Sequence, residues 1–348
     1  MESLGYAEIK VGSRREIAKG AWAGKASRFR ATSDLLKLAA DAGVTSAVSR
    51  AHYDVVGIPN DPAHVLILKS ETKKVRQHKI GGAPIPVDLT HPLAAVHAKQ
   101  MVELNTFFLK QKIELPPLPL YKTKAPNYRP MTTFKGFHRI FNGGGKVSYG
   151  YEKGGRMYPI GGCYQSIERE RRPYLLINGE PTIELDIGSS QARILFKLMG
   201  HPIGPEVDPY DVPGFPRDVV KLWFAQTMGH DGFLDKWTRE TRVQYAEDHG
   251  GADLSKVANN KAVKEAVLKR WLHMADWPTC PYRWGDLQYI EAQAVIEAVY
   301  VLAIDHGVPA YPVHDSLIVP ASKKELAKDV LSAAFKRWVG VEPLIKEK

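Results

Sequence analysis

Residues 174–187 limit the possible folds more than any other stretch: two strand-forming runs, 174–177 and 182–187, enclose Asn178-Gly179. An Asn-Gly pair tolerates positive φ at both central residues, so between such runs it predicts a tight β-hairpin. Asp186 closes the second strand, Gly188 breaks it, and Ser190 is placed to cap a helix lined on one side by Ala192, Leu195, Phe196 and Met199 until Gly200 stops it. A second hairpin is read from residues 308–320, with His314-Asp315 at its tip. Helices are expected over 217–228, 261–274, 287–306 and 323–338; the third carries Ile290, Ala294, Ala298 and Val301 on one stripe and ends at Gly307. Strands and helices interspersed in this way predict an α/β (α+β) fold.

Asp186 and Asp315 each end an apolar strand, where a buried carboxylate is costly without a cation. Two such groups at one sheet edge are what two Mg²⁺ or Mn²⁺ ions, about 3.5–4 Å apart, require for in-line phosphoryl transfer. The simpler alternatives are a helix cap for Asp186 and a polar turn for His314-Asp315.

The net charge of +10 is unevenly spread. Residues 1–150 hold 23 Lys and Arg against 11 Asp and Glu, whereas the remaining 198 hold 25 against 27. Between Lys69 and Lys146 there are 14 basic and 4 acidic residues, interleaved with Phe107, Phe108, Tyr121, Tyr128, Phe134, Phe137 and Phe141. That mixture suits a nucleic-acid backbone with bases stacked on aromatic faces; a solvated basic face over ordinary core aromatics is the alternative. Lys110, Lys112, Lys122 and Lys124 are the cations expected to track phosphates.

A hydrophobic fraction of 44% with 25% charged residues excludes a disordered or fibrous chain. No run is read as a membrane span, residues 1–10 carry no targeting pattern, and a cytoplasmic protein is expected. Cys163 and Cys280 stand alone, as packing residues rather than zinc ligands. The first part shows a helix signal over 33–42, a strand-like run over 64–68 and a helix over 92–111. Five prolines within 114–130 read as an extended linker, and the glycines at 143–145, 154, 155, 161 and 162 as a loop-rich zone.

Five short motifs occur in a fixed chain order: Gly-Gly-Arg-Met-Tyr (154–158), Tyr-Gln-Ser-Ile (164–167), Glu-Leu-Asp-Ile-Gly-Ser-Ser-Gln-Ala-Arg (184–193), Arg217-x3-Lys221 and Val-His-Asp-Ser (313–316). The ordered set resembles the palm core shared by family A DNA polymerases and phage-type single-subunit RNA polymerases, and covers residues 130–340. It implies a right-hand palm over 131–348 with a small fingers insertion at about 200–286, preceded by a basic, mainly helical, thumb-like region over 1–130. It also implies a template-directed nucleotidyltransferase, with a primer-template duplex and nucleoside triphosphates as partners. By that resemblance Asp186 and Asp315 hold the metals, with the Ile187 carbonyl as an extra ligand, and Arg217 and Lys221 grip the triphosphate. Arg156, Gln165, Arg193, Gln288 and His314 would contact primer or template. The residue-level alternatives are a solvated helix face for Arg217 and Lys221, a core ion pair for Arg193, a surface charge for Arg156 and a turn hydrogen bond for Gln165.

Several residues depart from the family pattern. Met228-Gly229 stand one position early for the Tyr-Gly that follows the fingers lysine, with Trp223 or Phe224 as substitutes for the stacking aromatic. Gln191 occupies the sugar-selecting position, where DNA enzymes carry Glu and RNA enzymes a small residue, so the choice of sugar stays open. The interval from Asp186 to Asp315 is short, implying trimmed fingers, and no length is left for a proofreading domain. An RNA polymerase or primase on the same palm is the rival within the enzyme class. A catalytically inactive nucleic-acid-binding protein on a decayed palm is the rival outside it, and a two-metal nuclease would not need the Arg217 and Lys221 pair.

Overall fold

The computed structural model describes residues 7–10, 13–18, 21–25, 28–43, 62, 64–75, 78–80, 82–116, 134–145, 148–160, 163–230 and 232–348. The chain forms two compact units, Met1–Val56 and Gly57–Lys348. In the first, Ala7–Lys10 pairs antiparallel with Arg28–Ala31, and Ser13–Ala18 with Ala21–Lys25. The helix expected over 33–42 is Ser33–Asp41, and the Thr32 side chain accepts the Leu35 N–H at its start.

Two expectations for the N-terminal part are corrected. Its described residues are mixed rather than mainly helical, because short runs with Ile9, Trp22 and Phe29 among charged neighbours favour extended pairing. The division at residue 130 runs through a sheet: Leu66–Ser70 lies parallel to Phe137–Gly144, with Ile67 opposite Ile140. Val65, Leu66 and Leu68 are buried, and only a strand on one side and the Pro92–Phe108 helix on the other can bury so apolar a run. Most of the proline-rich linker lies outside the described residues, as do Lys122 and Lys124.

The supposed loop-rich zone is also corrected: Phe137–Gly144 and Gly154–Pro159 pair as antiparallel strands in a four-stranded sheet completed by Leu66–Ser70 and Pro84–Ile85. The glycines serve close approach. Gly155 has φ +71, and a Cβ there would lie 2.9 Å from Arg139 Nη2 and from the Phe141 ring. Gly161 and Gly162 lie outside the described residues.

Arg139 is fully buried and makes no ion pair with a carboxylate among the described residues. It donates to the Gly155 carbonyl at 2.7 Å, to Gln293 Oε1 at 2.5 Å and to His97 Nδ1 at 2.9 Å, so His97 must be neutral with its proton on Nε2. Burial, and then the neighbouring guanidinium, push His97 down to about 3. His273 is pushed down to about 4, chiefly by burial. In the unfolded chain such groups take up a proton near pH 6.5, whereas in the fold they stay neutral to lower pH. Unfolding therefore takes up protons in that window, and the buried His97 removes up to about 1.4 kcal/mol of stability per pH unit below 6.5, with a smaller contribution from the more solvated His273. Thermal melts are expected to show Tm falling between pH 6.5 and 4, with His97→Gln flattening the slope; an unchanged slope in that variant would assign the fall to other groups.

The second sheet carries the candidate site. Its order is Tyr311–Val313, Ser316–Pro320, Glu180–Ile187, Leu176–Ile177 and Ile113–Glu114, and Ile345–Glu347 also pairs with Glu180–Ile187. Both expected hairpins are present. Ile177 faces Glu180 across a two-residue turn with φ 53 at Asn178 and 83 at Gly179, as a type I′ turn requires. Between the two sheets Phe108 packs edge-on against Phe137 and Tyr311, with ring centroids 5.2 and 4.9 Å apart. Phe108, Phe137 and Phe141 are fully buried, so these aromatics form core rather than a base-stacking surface. Tyr121 and Tyr128 lie outside the described residues.

The Trp284–Tyr300 helix, extended by a wider turn to Asp305, packs against Gly154–Pro159 and the Lys324–Val339 helix. Contrary to the expectation from sequence, this 22-residue helix is by length and composition alone long and apolar enough to span a membrane, an 18-residue stretch of it having mean hydropathy 1.4. In the fold it is a core helix: Leu287, Ala294, Val295, Ala298 and Val299 are buried.

Candidate active site

Glu180–Ile187 buries Leu185 and Ile187, and the alternation of a strand turns Glu184 and Asp186 to the opposite face. Asp186 stands opposite Ser316 in the register, and the Ile187 N–H donates to the Asp315 carbonyl at 3.0 Å. The two aspartates expected to converge therefore meet in one cleft of about 680 Å³. Two nearby non-glycine residues lie in the left-handed region, His314 immediately before Asp315 and Ser189 three positions after Asp186, both with φ 58. Such conformations cost about 1–2 kcal/mol and persist where surrounding contacts hold them. Ser190, expected as a cap, is instead the first helical residue, and its hydroxyl donates to Glu291 at 2.9 Å.

Glu291 organises the cleft and was missed in the sequence. It is fully buried on the Trp284–Tyr300 helix, and one oxygen accepts both Nε (2.9 Å) and Nη2 of Arg156. An acidic residue within an otherwise apolar helical stripe was its only signal. Burial, then Glu291, then Asp186 push Asp315 up to about 7, which marks local negative charge in excess of its compensation. Asp186 is compensated differently: Lys348 Nζ lies 2.6 Å from its Oδ1.

Arg217 and Lys221 lie one turn apart on the Arg217–Met228 helix and both border the cleft. Asp208 accepts from the Arg217 guanidinium, which also lies 5.2 Å over the Tyr210 ring. Lys221 is exposed and has no ion pair among the described residues. Gln191, Arg156 and His314 border the same cleft, whereas Trp223 and Phe224 are buried and cannot offer a face to a base. Trp284, which also lines the cleft, is a partly exposed aromatic residue. Arg169, Arg172, Lys346 and Lys348 add cations, so seven Lys and Arg side chains face four carboxylates, a balance that suits a polyanion.

Other expected contacts lie elsewhere. Arg193 is buried, and its guanidinium donates to the carbonyls of Gly188, Gly204, Pro205 and Val207 at 2.7–3.1 Å, so it clamps backbone and has no face for a template. Gln165 donates to the Pro312 carbonyl at 2.6 Å, holding the hairpin that carries Asp315. Gln288 is half-buried and does not line the cleft. Lys110 is exposed, and Lys112 pairs with Glu114.

No metal-sized group of three His, Cys, Asp or Glu side chains occurs among the described residues. The donors available to a divalent cation are the carboxylates of Asp186 and Asp315 with backbone oxygens between them. These hard oxygens fit Mg²⁺ or Mn²⁺, and the crowded charge at Asp315 and the ammonium on Asp186 both show a site that calls for positive charge.

No protein-family model matches the chain. No curated protein matches it either. Among solved structures the chain is similar to the Pol domain of Pol1 from M. smegmatis, determined in complex with a DNA primer-template and dNTP. The identity is 14% and the TM-score 0.32, with 80% of this chain and 57% of that chain covered.

Proposed function

We propose that the protein is a template-directed nucleotidyltransferase that adds nucleotides to a primer 3′ end. The observation that carries this reading is the convergence of Asp186 and Asp315 in a cleft that Arg217 and Lys221 also line. The reaction is attack of the primer 3′-oxygen on the α-phosphate of a nucleoside triphosphate, with pyrophosphate leaving. Asp186 and Asp315, with the Ile187 carbonyl, would hold divalent cations, which would supply charge neutralisation at the reacting phosphate. Arg217, braced by Asp208, and the unpaired Lys221 bind and orient the β- and γ-phosphates. Arg156, held by Glu291, faces the nucleic acid from the third side, with His314 at the hairpin tip and Gln191 placed to meet the sugar. Lys110 belongs to the backbone-contacting surface.

Lys221→Ala is expected to raise the apparent KM for nucleotide and to lower kcat, each by about tenfold, because the charge it meets grows as pyrophosphate departs. Arg217→Ala adds the loss of the Asp208 pair to the same effect. Steady-state kinetics on a primed template reads both; an effect on template affinity alone would reassign the pair to the nucleic-acid backbone.

A second reading, a catalytically inactive nucleic-acid-binding protein, is favoured by one observation: Lys348 already neutralises Asp186. Primer extension on DNA and RNA templates, with dNTPs and NTPs supplied separately and with primer present or absent, separates the readings. Extension in any arm supports the enzyme and identifies template and sugar. Tight nucleic-acid binding with no extension in every arm supports the inactive protein.

A further inference from the structure

The strand Ile345–Glu347 lies antiparallel to the strand that carries Asp186, with Lys346 opposite Asp186 in the register. Lys348 continues the ladder, exchanging backbone hydrogen bonds with Glu184 at 2.9 and 3.4 Å. Alternation along this segment sends Lys346 and Lys348 to the cleft, while Glu347 turns outward to Lys324 at 3.2 Å. The Lys348 ammonium ends 2.6 Å from Asp186 Oδ1 and 4.0 Å from Glu184.

We propose that Lys348 is a resident cation of the metal site: its ammonium occupies the Asp186 oxygen that a divalent ion needs, and so sets the affinity of the empty cleft for metal. The inference rests on the proposed role of Asp186 as a metal ligand. Its physical basis is competition at one oxygen. A carboxylate that accepts an ammonium at 2.6 Å cannot present the same lone pair to Mg²⁺ or Mn²⁺ until the ammonium leaves. The side chain can leave, because it is one-third exposed and its only other ion pair among the described residues is the 4.0 Å contact with Glu184, while its backbone stays in the ladder. An anionic substrate offers the ammonium another partner, since the Lys348 side chain borders the same cleft as Arg172 and Arg217. Binding of nucleotide or nucleic acid and binding of metal are thereby coupled, each favouring the other.

The test is Mn²⁺ binding to the full chain without substrate, followed by the electron paramagnetic resonance signal of the free ion. Lys348→Met keeps the length of the stem and removes the charge, and Lys348→Arg keeps the charge. Lys346→Met removes a cation that borders the cleft without an ion pair to Asp186 among the described residues. Lys348→Met is expected to tighten Mn²⁺ binding by about threefold to tenfold, the range for displacing a partly exposed pair. Lys348→Arg should stay near wild type, and Lys346→Met should change affinity by less than about twofold. Equal tightening by both methionine variants would mean that only the overall field matters, and would overturn the proposal. So would unchanged affinity in Lys348→Met while Asp186→Asn abolishes Mn²⁺ binding. Failure of the underlying reading looks different: Mn²⁺ binding would be absent or insensitive to Asp186→Asn in every form of the protein, and the proposal would fall with it.

Discussion

Asp315→Asn is expected to abolish nucleotide addition, with kcat falling by roughly 10³-fold or more, equivalent to about 4 kcal/mol of lost transition-state stabilisation. Template binding should hardly change, because the missing charge acts on the reacting phosphate rather than on the backbone. The same substitution should raise Tm at pH 8. Asp315 is pushed up to about 7 by burial, Glu291 and Asp186, so above that pH the fold carries a carboxylate that is more comfortable in the unfolded chain. A carboxyl whose folded value is raised costs stability from its ordinary value near 4 upward, and the whole cost is present above about 7. The stabilisation should therefore be full at pH 8 and fade towards pH 4, where the folded and unfolded chains both hold the proton and the side chain resembles asparagine. Asp186→Asn should be equally inactive yet bring no such gain, since its charge is matched by Lys348. Melting curves at the two pH values, together with single-turnover extension, check both halves. Near wild-type extension by either variant removes the metal role.

The largest loss of stability is expected from Arg193→Met. Four hydrogen bonds from this one side chain gather the carbonyls of Gly188, Gly204, Pro205 and Val207 around its guanidinium. Methionine fills the volume but leaves those carbonyls without a donor, at a cost of about 3–5 kcal/mol. That is a large share of the roughly 5–15 kcal/mol by which a folded chain is stable. Function should suffer as well, because the clamped loop leads to Asp208, which braces Arg217, and Gly188 follows the strand of Asp186. A folded Arg193→Lys variant should therefore show raised KM for nucleotide. Denaturant titration of both variants reads the stability; a change below about 1 kcal/mol in Arg193→Met would show that the clamp contributes little to the fold.

The parts of the molecule that were legible in the sequence are those specified by neighbouring residues. Asn178-Gly179 carries its own turn, His314-Asp315 interrupts an apolar run, and Arg217 and Lys221 share a helix face by spacing alone. What escaped depends on partners distant in the chain. The glycines at 154 and 155 read as loop because glycine weakens a strand; the close approach of Asn142 to Gly154, and of Arg139 and Phe141 to Gly155, explains them. Ile345–Glu347 is three residues with two charges, too short to show a period, and it becomes a strand because Asp186 and its neighbours offer an unpaired edge. Glu291 and Arg156 are 135 positions apart, so neither predicts the other. The aromatics between Phe107 and Phe141 were read with the lysines beside them, although their spacing in a helix and a strand takes Phe108, Phe137 and Phe141 into the core.

The strand bearing Asp186 is flanked on one side by Ser316–Pro320 and on the other, along its last residues, by Ile345–Glu347. During synthesis this strand emerges more than a hundred residues before either neighbour, so Leu185 and Ile187 wait with open edges on both sides. Pairing at such separations is slow, because loop closure precedes any reward from contact. The aspartate pair is accordingly among the last features the ribosome-bound chain can complete, and an interrupted chain ending before residue 316 presents two unpaired edges to its neighbours.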